Sequence, residues 1–138
     1  MNKKSKISLI TNKEKLTYEV NIEIKNDKIN YQENNDELTS VLYDKTSRIL
    51  IRDNKEIYME YDFNMNKASI YIKDLKKEIN LELRTKNIVE SDKLIDIEYL
   101  LDNEVYRYII DMEWYYEYYK RVRKRYRKDN KWDRLYYR

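Results

Sequence analysis

Residues 16–24 read Leu-Thr-Tyr-Glu-Val-Asn-Ile-Glu-Ile. Leu16, Tyr18, Val20, Ile22 and Ile24 alternate with Thr17, Glu19, Asn21 and Glu23. A strict period of two places the apolar set on one face of an extended chain and the polar set on the other, which is the pattern of a half-buried β-strand. Asn26-Asp27 follows as a turn, because Asn and Asp tolerate left-handed backbone where no glycine is available. Ile29 and Tyr31 make a short return strand, and Asn34-Asn35-Asp36 breaks it.

The same grammar extends through the next eighty residues. Leu38 to Tyr43, Arg48 to Arg52 and Glu56 to Tyr61 are strand segments separated by Asp44-Lys45 and Asp53-Asn54. Asn64 and Asn66 mark a turn before Ser69 to Lys73, and Asp74 to Lys77 connects onward. Ile79, Leu81, Leu83 and Thr85 share a face, as do Ile95, Ile97, Tyr99 and Leu101. Asp102-Asn103 leads into Val105 to Met112. Nine or ten short strands with turns every 8 to 12 residues predict an antiparallel meander closing into a barrel or sandwich. Near the amino terminus only the apolar run Ile7 to Ile10 stands out.

Composition excludes several chemistries. The 138 residues are 41% hydrophobic and 40% charged, and tyrosine supplies 16 of 19 aromatics. The core must therefore be built from Ile, Leu and Tyr under a heavily charged surface. There is no Gly, Pro, Cys or His, where average usage gives about ten Gly and about seven Pro. The abundance of Asn, Lys, Ile and Tyr is the profile of an AT-rich coding sequence. Without Cys there are no disulfides or thiolate zinc sites. Without His the usual general base, the Ser-His-Asp constellation and the commonest transition-metal ligand are gone. Without Gly there is no phosphate-cradling loop. No stretch approaches the roughly 20 apolar residues of a membrane span, and the amino terminus lacks a signal-peptide core. A cytoplasmic location is expected.

Charge is unevenly placed. Tyr115 to Arg138 holds ten Lys/Arg against three acids, a net +7, while the preceding 114 residues carry 19 positive and 23 negative charges. Tyr115, Tyr118, Tyr119, Val122 and Tyr126 fall at i, i+3, i+4, i+7 and i+11, one stripe of a helix from about Asp111 to Lys128. The expected organisation is a β-barrel domain over 1–113 and a basic, Tyr-rich helical tail over 114–138.

The order of signals from Lys28 to Met112 resembles a known family. The residues that carry it are Lys28-Ile29-Asn30-Tyr31-Gln32-Glu33, Leu38-Thr39, Ile49-Leu50-Ile51-Arg52, the run YIKDLKKEINLELRTKNI over Tyr71 to Ile88, and Leu94-Ile95-Asp96-Ile97-Glu98-Tyr99-Leu100. These are similar to the YwiB-like family of uncharacterised proteins from low-GC bacteria, over about two thirds of the chain. Leu75-Lys76-Lys77 stands where the family has Pro-Tyr-Gly, and Asp53 stands where it has glycine. The resemblance implies a calycin-like barrel, the broad class that includes lipocalins, and no established activity. The fold expected overall is all-β, an antiparallel meander closing into a calycin-like barrel, with a C-terminal amphipathic basic helix.

Two sites follow. In the tail, Tyr119, Lys120, Arg121, Arg123, Lys124, Arg125, Tyr126, Arg127 and Lys128 interleave cations that neutralise phosphates with rings that stack on exposed bases, the chemistry of RNA or ribonucleoprotein binding. The blander alternative packs the tyrosines on the barrel wall and leaves the charges solvated. A protein partner or an acidic membrane surface is the third possibility. In the barrel, Arg52, Thr85 and Tyr99 are polar groups in apolar strands, placed to orient a small apolar ligand. Thr85 and Tyr99 follow the parity of apolar neighbours. Arg52 is ambiguous, because Ile49, Leu50 and Ile51 are all apolar. The blander alternative fills the barrel with Ile, Leu and Tyr and bonds the lone inward Thr or Tyr to backbone.

The abundant acids point to no catalysis. Glu82, Asp96 and Glu98 fall at outward strand positions, and Asp44, Asp53 and Asp102 read as turn residues. No calcium-loop spacing is present. The expectation is a non-enzymatic binding protein without metal or cofactor, contacting RNA through its tail or else holding a small molecule in its barrel. An exposed edge strand leaves pairing of two copies open.

Overall fold

The computed structural model describes residues 2–33 and 38–113. Every tail residue assigned to RNA lies outside them, as does the expected C-terminal helix except at its start, where Asp111 is the last residue of a strand and not the first of a helix. Ten antiparallel strands run β1 (Asn2–Thr11), β2 (Lys15–Lys25), β3 (Lys28–Glu33), β4 (Thr39–Asp44), β5 (Ile49–Asp53), β6 (Ile57–Asp62), β7 (Lys67–Ile72), β8 (Lys77–Glu90), β9 (Leu94–Leu101) and β10 (Glu104–Asp111). Each pairs with the next in sequence, and β1 pairs with β10, from Lys6 opposite Asp111 to Thr11 opposite Tyr106, which closes the barrel.

The turns show how a chain without glycine makes tight connections. Asn26-Asp27 and Asp102-Asn103 are two-residue hairpin loops with positive φ at all four positions, between 48° and 70°. That is the backbone of the primed turns whose twist matches the flanking strands. Three four-residue loops end on a positive-φ residue: Arg48 at 59°, Asn66 at 55° and Lys76 at 50°. Asn suits that region, whereas a long side chain there costs about 1–2 kcal/mol. Lys76 closes the turn between β7 and β8, the last residue before the strand resumes at Lys77. Lys76→Gly should therefore raise the unfolding free energy by roughly 0.5–1 kcal/mol, the strain relieved less the entropy glycine adds to the unfolded chain. Urea titration of the two proteins checks this, and an unchanged or lower midpoint would contradict it.

The sequence pattern missed β1, because Asn2 to Lys6 is polar and only Ile7 to Ile10 reads as apolar. The register explains its place: Ser5 and Ile7 are fully buried on the inner face, opposite Val20 and Tyr18 of β2. Strand β8 is also longer than its apolar alternation suggested. A bulge between Thr85 and Asn87 lets it continue to Glu90 along β9, bending it around the barrel.

Deeply buried side chains gather toward the end that carries the turns at 26–27, 45–48 and 91–93. Ile22, Ile29, Tyr43, Ile95, Ile97 and Ile110 are each at most 1% exposed. The Tyr43 hydroxyl donates to Glu90 Oε1 at 2.6 Å, and Arg48 pairs with the same carboxylate at 3.3 Å. The outer face is laced with ion pairs, Arg107 with Asp96 and Lys86 with Glu98. This is where sequence parity put Asp96 and Glu98.

Candidate functional site

Toward the other end, between the turns at 12–14, 54–56 and 102–103, the interior is not filled. A cavity of about 210 Å³ is lined by two consecutive inward residues from each of seven strands. Ile7 and Leu9 come from β1, Leu16 and Tyr18 from β2, and Tyr31 and Glu33 from β3. Leu50 and Arg52 come from β5, and Met59 and Tyr61 from β6. Tyr99 and Leu101 come from β9, and Tyr106 and Tyr108 from β10. The i, i+2 spacing in every case is the strand period made visible as two stacked layers of side chains.

Polar groups collect on one side of this cavity. Glu33 accepts a hydrogen bond from the Tyr18 hydroxyl at 2.6 Å and another from the Arg52 guanidinium. The hydroxyls of Tyr31 and Tyr108 bond to each other. Burial works against the Arg52 charge, but Glu33 more than offsets it, and the guanidinium pKa lies above its ordinary value. Burial raises the Tyr18 pKa, helped by the hydrogen bond to Glu33, and burial raises that of Tyr108 although its bond to Tyr31 opposes the rise. The phenols around the cavity are therefore hydrogen-bond donors at every physiological pH, and the Arg52–Glu33 pair is internally neutral.

Other residues of the lining form an aromatic cluster. Tyr99 stacks on Tyr106 with centroids 5.6 Å apart and planes at 11°, and meets Tyr61 edge-on at 6.0 Å. Among the described residues the hydroxyls of Tyr61 and Tyr99 have no hydrogen-bond partner, although both rings line the cavity. Burial pushes the Tyr61 pKa up to about 12. Among the described residues the Ser5 hydroxyl is a fully enclosed side-chain polar atom without a partner, and Ser5 is not part of the cavity lining.

Of the sequence-derived site residues, Arg52 and Tyr99 meet on this cavity. The Arg52 parity is settled by its register, opposite Val41 and Met59 on the inward row. Thr85 shares the row of Leu83, opposite Tyr99, but does not line the cavity: its hydroxyl donates to the Phe63 carbonyl at 2.7 Å beside the bulge, so it fastens a turn. Glu33, Tyr18, Tyr31, Tyr61, Tyr106 and Tyr108 were not singled out. Their parity was readable in outline, since Ile29, Tyr31 and Glu33 alternate and Tyr18 follows Val20 and Ile22. The Asn-rich break after Glu33 concealed that the strand reaches so far.

Next to the cavity one ladder of the barrel is short among the described residues. Strands β2 and β3 pair only from Glu23 opposite Asn30 to Lys25 opposite Lys28, whereas β1 and β2 pair over nine positions. Beyond Asn30 the two strands splay, leaving a groove of about 1070 Å³. Leu16, Tyr18, Tyr31 and Glu33 line both groove and cavity, so the splay is the route between them. The Tyr18–Glu33 hydrogen bond bridges it. Among the described residues no group of three or more potential ligands is placed to hold a metal ion, and no helix is long and apolar enough to cross a membrane.

No protein-family model matches the chain, and no curated protein matches it by sequence. Among solved structures, the crystal structure of the YwiB protein from Bacillus subtilis is similar, with a TM-score of 0.50 and 15% identity over 79% of this chain and 87% of that one. At that identity the likeness establishes a shared barrel fold.

Proposed function

We propose that this is a cytoplasmic, non-enzymatic binding protein whose barrel takes a small, uncharged aromatic molecule carrying hydrogen-bond acceptors. The observation that carries this reading is a cavity lined both by two tyrosine hydroxyls without partners among the described residues and by a self-neutralised Arg52–Glu33 pair. A volume of about 210 Å³ falls below the roughly 300–1,000 Å³ of drug-sized pockets, which argues for a fragment-sized ring and against a long lipid chain. Stacked tyrosines offer a flat apolar face, and free phenols supply the polar addresses. In this reading the barrel is calycin-like and the chain belongs with the YwiB-like proteins, as the sequence resemblance and the shared fold both suggest.

Coumarin, neutral and acceptor-bearing, is a suitable probe, with hexadecanoate as the long-chain control. Coumarin should bind and hexadecanoate should not. Tyr61→Phe with Tyr99→Phe should weaken coumarin about tenfold, from two lost bonds of about 0.5–1.5 kcal/mol each. Leu9→Trp should abolish binding by filling the cavity. Failure of coumarin and of a set of one- and two-ring neutral analogues to bind would defeat the reading.

The second reading rests on the net +7 of residues 115–138 and assigns RNA to Tyr119 through Lys128. It separates cleanly from the first. RNA binding would fall steeply with salt and vanish on charge reversal of Arg121, Arg123, Lys124 and Arg127, while coumarin binding would be unaffected.

A further inference from the structure

We propose that the splay between β2 and β3 is a docking groove for an extended, basic segment of another protein, which completes the barrel as an inserted strand. A strand in a closed barrel normally spends its backbone groups on two neighbours. Here Lys15 to Ile22 are paired with β1 on one side, and Tyr31 to Glu33 with β4, while neither has a strand partner across the splay among the described residues. Two facing rows of unpaired N–H and C=O groups are the condition for strand addition, in which main-chain bonds supply affinity and alternate side chains supply specificity. From Lys15 to Ile22 the free edge is about 26 Å long at roughly 3.3 Å per residue.

The groove also declares the chemistry of its occupant. Among the described residues its charged lining is Glu19, Glu23 and Glu33, with no Lys or Arg. Glu19 is met from β1 by Lys4 and Glu33 from the interior by Arg52, while Glu23 has no ion pair among the described residues. Between the acids, Leu16 is 50% exposed and Tyr18 and Val20 are half-buried, which gives apolar seats at the strand period. An occupant that alternates lysine or arginine with a β-branched residue satisfies both sets. Electrostatic fit of this kind selects the partner and speeds its encounter.

The test uses the full chain and an acetylated seven-residue peptide of alternating lysine and valine. Controls are its glutamate–valine counterpart and a lysine–valine peptide N-methylated at every second residue. The lysine–valine peptide should bind and should slow amide exchange in residues 16–22 and 31–33. N-methylation and Glu23→Lys should each weaken it at least tenfold, and the glutamate peptide should not bind. Equal binding of the methylated peptide would reduce the contact to charge alone and overturn strand insertion. Absence of binding by the full chain, and by a chain ending at Glu113 that retains all ten strands, would overturn the groove. Binding by the shortened chain only would mean that residues 114–138 fill it, and would overturn a separate partner.

Discussion

Above pH 10 this protein should lose stability at about 1.4 kcal/mol per pH unit for each buried tyrosine, and should unfold cooperatively between roughly pH 11 and 12. Tyr31, Tyr43, Tyr99 and Tyr108 are each at most 5% exposed. All four have pKa values raised above 10, chiefly by burial; Tyr108 adds to the effect on Tyr31, Glu90 to that on Tyr43, and Tyr61 to that on Tyr99. In the unfolded chain the same phenols ionise near their ordinary value. The native state therefore holds more protons than the unfolded state once pH passes 10, and stability falls with rising pH until the folded pKa values are reached. Their contribution is complete below pH 10. Four such groups together withdraw about 6 kcal/mol by pH 11 and about 11 by pH 12, against a typical total of about 5–15. The measurement is tyrosinate absorbance followed beside far-ultraviolet circular dichroism. The two should change together for these rings, and Tyr43→Phe should flatten the fall by one tyrosine's share. Smooth ionisation of every tyrosine near pH 10 in a chain that keeps its β signal would mean that these rings are not buried as described.

Most of this barrel was legible because its strands obey one period. Leu16 to Ile24 and Ile95 to Leu101 could be assigned inner and outer faces from sequence, and the register bears those faces out. Turn chemistry was equally legible at Asn26-Asp27 and Asp102-Asn103, where side chain type and positive φ agree. What escaped was long-range. Closure depends on β1 meeting β10, and nothing local in Asn2 to Lys6 announces a strand, since Ser5 is buried only because the barrel wraps around it. The site escaped for a related reason. Arg52 sits in an apolar run with no alternation to orient it, and Glu33 lies at the edge of an Asn-rich break. That they face each other 19 residues apart is a property of the β3–β4–β5 meander. Thr85 had the right parity and a different use, because the adjacent bulge turned its hydroxyl to the Phe63 carbonyl.

Glu33 is the residue whose loss should be felt most widely. Its carboxylate accepts from Arg52 and Tyr18 together, so Glu33→Ala leaves a half-buried guanidinium without its counter-charge and a phenol without its acceptor. Removing one partner of a buried pair costs about 3–5 kcal/mol. The lower end, about 3 kcal/mol, is expected here because Arg52 keeps a third of its side chain exposed. Glu33→Leu combined with Arg52→Met removes both charges and refills the space, and should recover most of that loss. Urea unfolding of the single and double variants forms the cycle, and simple additivity would show that the pair is not coupled. The same carboxylate bridges the splay through Tyr18, so its loss has a second signature that the double variant does not repair. Amide exchange along Leu16 to Ile22 should accelerate in both Glu33 variants and, with little change in global stability, in Tyr18→Phe. Stability and splay would then be separable: the Arg52–Glu33 charge pair governs the first, and the Tyr18–Glu33 hydrogen bond governs the second.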